Sequence, residues 1–215
     1  TILTDNAVIS VGWGTTLYEL ARAITPGTAR GVQVVQSMGA LGSRLPAIDN
    51  HLITRLLAEQ LDGTPHYLHA PMIVDSEAVR DVLIADAQIS QVIALSRQAD
   101  IILYGLGVPN PEIAGLLRAG YLDAGTLETI RQTGAVGDIC VTYFDLQGRI
   151  IDLDITKRTI GIRLPETGEI GTRIVVAGGP HKTQSMLGAL RTGYVDVAIT
   201  DEDTASAVLA LSEQA

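Results

Sequence analysis

Gly12-Trp13-Gly14-Thr15-Thr16 lies between a short apolar run and the start of an amphipathic stretch. Glycines let the backbone turn sharply, and the free N–H groups and dipole of a following helix attract an anion. Threonine hydroxyls donate to phosphate oxygens. Gly178-Gly179-Pro180-His181-Lys182 repeats the strand–glycine–helix layout. Pro180 suits a first helical turn. Lys182 then stands where a cation opposes the helix dipole, an unfavourable place unless an anion is near. Both segments fit a phosphate held by local donors. The plainer alternatives are a tight turn with a threonine cap and a solvated lysine. Two nucleotide motifs fail: the dinucleotide fingerprint needs a third glycine where Leu17 stands and an acid where Gln36 stands, and the P-loop Gly-Lys-Ser/Thr is absent.

Other candidates are weaker. Asp138, at the end of the stretch 134–138, can accept from the hydroxyls of a polyol or from its own turn backbone. Gly105-Leu106-Gly107 closes another strand and can line the same cleft, with backbone crowding as the competing explanation. The acids of 200–203 read as a helix cap rather than a catalytic cluster. His66 and His69 are close neighbours in an extended segment and point to different faces, so no metal is expected. No Gly-x-Ser-x-Gly nucleophile motif occurs. Cys140 lies in an apolar run and reads as core. Lys157 or Lys182 can form an imine with an open-chain sugar, but nothing in the sequence marks a lysine of depressed pKa.

The elements that must hold these residues alternate. Apolar runs at 7–11, 31–35, 66–69, 100–104, 173–177 and 195–199 read as strands. Helical stripes follow, such as Leu17, Leu20, Ala21 and Ile24, and later Ile53, Leu56, Leu57 and Leu61. Further helices are read at 76–84, 87–98 and 201–211. Alternation of this kind predicts an α/β, Rossmann-like domain with a mainly parallel sheet flanked by helices. Residues 139–163 break the pattern and predict a small hairpin lobe turning at Gln147-Gly148. No linker divides the chain, so residues 1–215 are expected to form one domain. In such sheets ligands gather at the carboxyl ends of the strands, where both glycine turns lie.

Composition excludes several classes. Of 215 residues, 47 % are hydrophobic and 18 % charged, too apolar for a disordered chain. No apolar run approaches the ~18 residues of a membrane span. A single cysteine permits no internal disulfide and suits a reducing cytoplasm. A chain starting at Thr1 rather than Met is expected to lack its natural N-terminus.

Taken in order, the motifs resemble the sugar-binding domain of the SorC/DeoR family of bacterial transcription regulators. They are the segments 11–17, Ala70-Pro71, 100–107, 134–139, 177–182 and 199–202. The resemblance spans essentially the whole chain. It implies a fold related to sugar-phosphate isomerases and coenzyme A transferases, and a phosphorylated sugar as effector. It also implies an N-terminal helix-turn-helix DNA-binding segment, absent here. The family's phosphate contacts fall on Gly14, Thr15, Thr16 and Lys182. Its sugar-side acid falls on Asp138, and further sugar contacts are expected at Gln36, Asp49, Gly105 and Gly107. Some members carry an arginine after the second strand for a second phosphate; here that stretch reads Gln36-Ser37-Met38-Gly39. No cofactor is implied.

Two function classes follow. The first is a non-enzymatic effector domain that forms a homo-oligomer (dimer or tetramer) and meets operator DNA only through the missing segment. The second is a sugar-phosphate isomerase or deaminase, which needs a positioned acid and base. For the first, loops 37–48 and 108–112 are the candidates to move on binding. The net charge is −9, and thirteen arginines and two lysines are scattered without a basic run. Duplex binding needs clustered cations to displace phosphate counterions. The 215-residue chain is therefore expected to leave duplex DNA unshifted in a mobility assay at micromolar protein and physiological salt.

Overall fold

The computed structural model describes residues 3–42 and 49–214. Six strands form one parallel sheet: β1 (Val8–Val11), β2 (Gln33–Gln36), β3 (Thr64–His66), β4 (Ile101–Tyr104), β7 (Thr172–Val176) and β8 (Val197–Ile199). Their order across the sheet is β3-β2-β1-β4-β7-β8. The register aligns Val11 with Gln36 and with Leu103, and Tyr104 with Val175, so the carboxyl ends of the strands share one edge.

Side chains alternate along each strand, which sorts them into two layers. Ile9, Val11, Val34, Ile101, Leu103, Ile174 and Val176 face α1 (Thr15–Ala23) and α2 (Asn50–Gln60). Helix α1 buries Leu17 and Ala21, and α2 buries Ile53 and Leu57. Ser10 points the opposite way and shares a 2.6 Å hydrogen bond with Ser96 of α4 (Ala87–Arg97), a buried polar pair that satisfies itself. Ile102, Tyr104, Val175 and Ala177 join α6 (Ala124–Gln132), α8 (Thr183–Arg191) and α9 (Glu202–Ser212) in the largest core cluster. Short helices α5 (Gly115–Arg118) and α7 (Asp154–Lys157) complete this layer, and α3 (Glu77–Ile84) packs beside α4.

The small lobe differs from its expected form. The antiparallel pair is β5 (Gly137–Ile139) with β6 (Thr142–Phe144), joined by Cys140 and Val141 at φ 51° and 57°. The Gln147-Gly148 turn is present as well, and its second arm meets β6 at the Phe144–Ile150 bridge, with Asp145 N to Arg149 O at 3.1 Å and Ile151 N to Tyr143 O at 2.9 Å. Two-residue hairpin turns with positive φ are normally signalled by Asn-Gly or Asp-Gly. A Cys-Val pair carries no such signal, so the sequence pattern misses the earlier of the two turns. Strand β3 is likewise earlier than expected, at 64–66, because the Leu68 N–H leaves the ladder for the Gln36 side chain. Among the described residues no helix is long and apolar enough to cross a membrane, and no cluster of three His, Cys, Asp or Glu is placed to hold a metal.

Candidate functional site

A cavity of about 340 Å³ opens where β1, β4 and β7 end, walled on its far side by β5 and α5. Gly14 heads α1 at φ 123° with no side-chain cap, and the first turn of α1 holds no acid. A Cβ at Gly14 would touch nothing within 4 Å, so glycine is needed there for the backbone angle rather than for space. The Thr15 and Thr16 ends of the helix line the cavity.

Capping separates this helix from the others. Among the described residues, five of the seven helices of eight residues or more carry a side-chain N-cap: Asp49, Ser76, Asp86, Asp123 and Asp201. The two without one are α1 and α8. These two start beside the cavity. At α1 the first N–H groups and the positive dipole end are left for something other than the chain, whereas at α8 the 3-10 turn already takes the Lys182 and Thr183 N–H groups onto the Gly179 and Pro180 carbonyls.

Lys182 precedes α8 in a short 3-10 turn, Pro180–Lys182. Its half-buried ammonium lines the cavity and donates to the Leu106 carbonyl. Burial pulls its pKa below the usual lysine value, while the Asp138 carboxylate pushes it back up. The turn itself is braced, because the Gly179 N–H donates to Asp201 Oδ2 at 2.7 Å and Thr204 Oγ1 at 2.9 Å. Asp201 is thus the cap of α9, as its position suggested, and also an anchor for the Lys182 turn.

Asp138 is buried in β5, 9 % exposed, and lines the same cavity. Its backbone pairs with Gly107 in an antiparallel bridge, with Gly107 N to Asp138 O at 2.8 Å. A Cβ on residue 107 would fall on the Asp138 carboxylate, so glycine is what lets the acid lie there. Gly105 is tight for another reason: a Cβ would stand 2.7 Å from the Trp13 carbonyl oxygen. Burial raises the Asp138 pKa to about 6, against the opposing pull of Lys182 and a hydrogen bond from the Val141 N–H. Desolvation outweighs the nearby cation.

Seven of the nine expected site residues line this cavity: Gly14, Thr15, Thr16, Gly105, Gly107, Asp138 and Lys182. Gln36 and Asp49 do not. Gln36 is fully buried, donates to the Met38 carbonyl at 2.6 Å and accepts from the Leu68 N–H. Asp49 caps α2 by accepting from the His51 N–H at 3.0 Å. Of the loops expected to move, residues 43–48 lie outside the described residues. Trp13, Arg118 and His181 also line the cavity and were not among the expected contacts. The Trp13 ring packs on Gly115, where a Cβ would stand 2.7 Å from the indole. Arg118 lines the cavity from α5, and among the described residues no carboxylate lies within ion-pair distance of it. His181 shares the wall with Lys182. A four-residue helix gives no readable periodicity, so nothing in the sequence marked Arg118.

A family model described as "Putative sugar-binding domain" matches residues 1–210. The chain belongs to this family. The sugar-binding domain is 36 % identical over 206 residues to the deoxyribonucleoside regulator of Bacillus subtilis (strain 168), matching 95 % of this chain and 65 % of that protein. It is 30 % identical over 216 residues to the transcriptional regulator LsrR of Enterobacter sp. (strain 638), matching 98 % of this chain and 64 % of that one. It therefore spans less than two thirds of the length of these curated relatives. The crystal structure of the same kind of domain, from a Vibrio fischeri transcriptional repressor, superposes with a TM-score of 0.88 at 28 % identity, covering 98 % of this chain and 82 % of that one. The full-length sorbitol operon regulator SorC of Klebsiella pneumoniae shares the fold, with a TM-score of 0.88 at 22 % identity, over 96 % of this chain and 68 % of that one. The motif order read from the sequence and these relatives agree on the DeoR/SorC-type regulators.

The buried acid in the sugar-binding domain has a consequence for stability. Its folded pKa, about 6, lies above the ordinary 3.8, so the folded state holds the proton more tightly. Stability from this group is full below pH ~4 and is lost as pH rises to ~6. Asp138→Asn is therefore expected to stabilise the empty domain at pH 7 by roughly 2–3 kcal/mol. Urea unfolding at pH 4 and pH 7 checks this, and the gain should vanish at the lower pH.

Proposed function

We propose that this chain is the effector-binding domain of a bacterial sugar-responsive transcriptional regulator, and that its ligand is a phosphorylated sugar. One observation carries the reading. The two long helices without side-chain caps open onto one cavity that also holds a half-buried lysine and a buried carboxylate. The amides of the α1 start, the Thr15 and Thr16 hydroxyls and Lys182 suit a phosphate. Asp138, an acceptor when ionised, suits sugar hydroxyls at the other end. Gly105 and Gly107 let the backbone of β4 stay close to the ligand. Arg118 adds a cationic donor at the rim, and His181 an imidazole. The overall charge of −9 repels anions at long range, so the local site must supply the affinity.

The domain binds without turnover in this reading. Its role in the longer regulator is to bias the arrangement of a homo-oligomer whose DNA contacts come from a segment outside this chain. Such a regulator works where the chromosome is, in the cytoplasm. One observation favours the second class, an isomerase or deaminase: an acid of pKa about 6 beside a lysine is poised for proton transfer. Against it, such chemistry needs a second acid, and Asp100 at the start of β4 cannot supply it: it lies at the opposite end of the sheet and accepts from the Val8 N–H at 2.8 Å. Incubation with aldose and ketose phosphates separates the two, since only an enzyme converts its ligand.

Titration calorimetry is expected to show binding of a sugar monophosphate in preference to the free sugar. A charge-assisted hydrogen bond contributes ~1.5–3 kcal/mol, so Lys182→Ala should weaken binding about tenfold to a hundredfold. Unchanged affinity removes Lys182 from the site, and preference for the free sugar overturns the phosphate assignment. Light scattering at micromolar concentration is expected to show an oligomer, and a strict monomer with and without ligand would sink that part.

A further inference from the structure

Two glycines make room for Trp13. A Cβ at Gly105 would stand 2.7 Å from its carbonyl oxygen, and a Cβ at Gly115 would stand 2.7, 2.9 and 4.0 Å from Cη2, Cζ3 and Cζ2 of its ring. Those three ring distances put the added atom close to the plane of the indole, just beyond its outer edge. Gly115 therefore meets the ring edge-on and covers neither face. Among the described residues no aromatic ring or cation stacks on the indole. The side chain is half-buried and lines the cavity between the Gly12–Gly14 turn and α5. Gly105, against Trp13, and Gly107, against Asp138, are two residues apart, at most ~7 Å along the backbone. The aromatic residue and the buried acid thus share one short stretch of wall. The rest offers little to hydroxyls: Leu106, Val108, Ile113 and Leu116 line it, and Asp138 is the one carboxylate among the lining residues.

We infer that Trp13 selects the closed-ring form of the sugar, its indole face packing on the C–H face of a furanose or pyranose. The inference rests on the proposed sugar-phosphate reading and adds to it which form of the sugar is held. Three physical points favour a ring. The π-face of an indole is negative, and sugar C–H groups are made slightly positive by the oxygens beside them. A ring presents such hydrogens on a fixed face, whereas an open chain must freeze several bonds to do so. An open-chain polyol also carries more hydroxyls along its length than this largely apolar wall can partner, and each one left unpaired on burial costs binding energy. Aromatic walls with a few placed polar groups are the usual way a pocket fixes a ligand's orientation.

Calorimetry on the 215-residue chain compares each sugar phosphate with the polyol phosphate made by reducing it: ribose 5-phosphate with ribitol 5-phosphate, and glucose 6-phosphate with glucitol 6-phosphate. In at least one pair the ring form is expected to bind about tenfold more tightly. Trp13→Leu, which keeps apolar bulk without a flat face, should abolish that preference, and Trp13→Phe should keep most of it. Equal affinities within both pairs overturn the inference, as does a preference that survives Trp13→Leu. Gly115→Ala covers the case in which Trp13→Leu fails to fold. Its methyl group pushes the indole edge and should weaken the ring form alone, and equal losses for both members of a pair overturn the inference. Trp13 is the single tryptophan, so its emission reads the contact directly. The ring form should shift that emission and inorganic phosphate should not; identical spectra with both ligands overturn the inference. If none of the four compounds binds, the effector reading falls and takes this inference with it. Binding without a ring preference defeats this inference alone.

Discussion

The parallel sheet makes every strand-to-helix turn emerge at the same edge. Strands buried on both faces admit few polar side chains, and those present, Ser10 and Gln36, are spent on internal hydrogen bonds, so chemistry gathers at the turns. The central strands β1, β4 and β7 therefore deliver three glycine-bearing turns, at residues 12–14, 105–107 and 178–179, to one cavity. Each turn does a different job there. The first exposes amides, the second gives up its side chains to make space, and the third carries the cation. Moving any of these strands to another position in the sheet would take its turn out of the cavity.

The cavity also holds two opposite charges that the fold leaves unevenly satisfied. Asp138 lies against Gly107 with one backbone donor, and Lys182 reaches a carbonyl rather than the acid. An empty site of this kind stores an electrostatic cost in burying the acid, visible as a raised pKa at Asp138 and a lowered one at Lys182. A ligand with an anionic end and a hydroxylated end relieves both at once. The surroundings are built to keep the arrangement fixed meanwhile: the β5 bridge holds Asp138 to β4, and Asp201 holds the Lys182 turn to α9. On the proposed reading, stability given up at Asp138 would be recovered on binding a ligand that carries both ends.

Much of this was legible in the sequence for local reasons. Apolar runs gave five of the six sheet strands within one or two residues, because burial on both faces demands uniform side chains there, while β3 came earlier than its run. Glycine turns before helices marked two walls of the cavity, because a strained backbone angle needs glycine whatever surrounds it. What escaped depended on contacts distant in sequence. Gln36 has the polarity of a ligand residue, yet the fold spends both ends of its amide on Met38 and Leu68. Asp49 has the residue type of both a sugar contact and a helix cap, and the cap is what it makes. Arg118 sits on a four-residue helix too short for periodicity, and only the tertiary wall formed with Trp13 and Gly115 places it at the cavity. The Cys140-Val141 turn violates the usual hairpin chemistry and is held by burial of both side chains instead.

The placement of the cation turn also bears on how a bound ligand can act at a distance. The turn is the direct continuation of β7, and its Gly179 N–H is tied to Asp201 at the end of β8. A pull on Lys182 would therefore load β7 and, through Asp201, β8 and α9 rather than a free loop. Packed strands transmit displacement because their interior is close-packed and cannot absorb it locally. Coupling to a distant site requires that a ligand favour one arrangement of these elements over another. The tie from Gly179 to Asp201 and Thr204 is the physical link through which a ligand at the Lys182 turn would bias the position of α9.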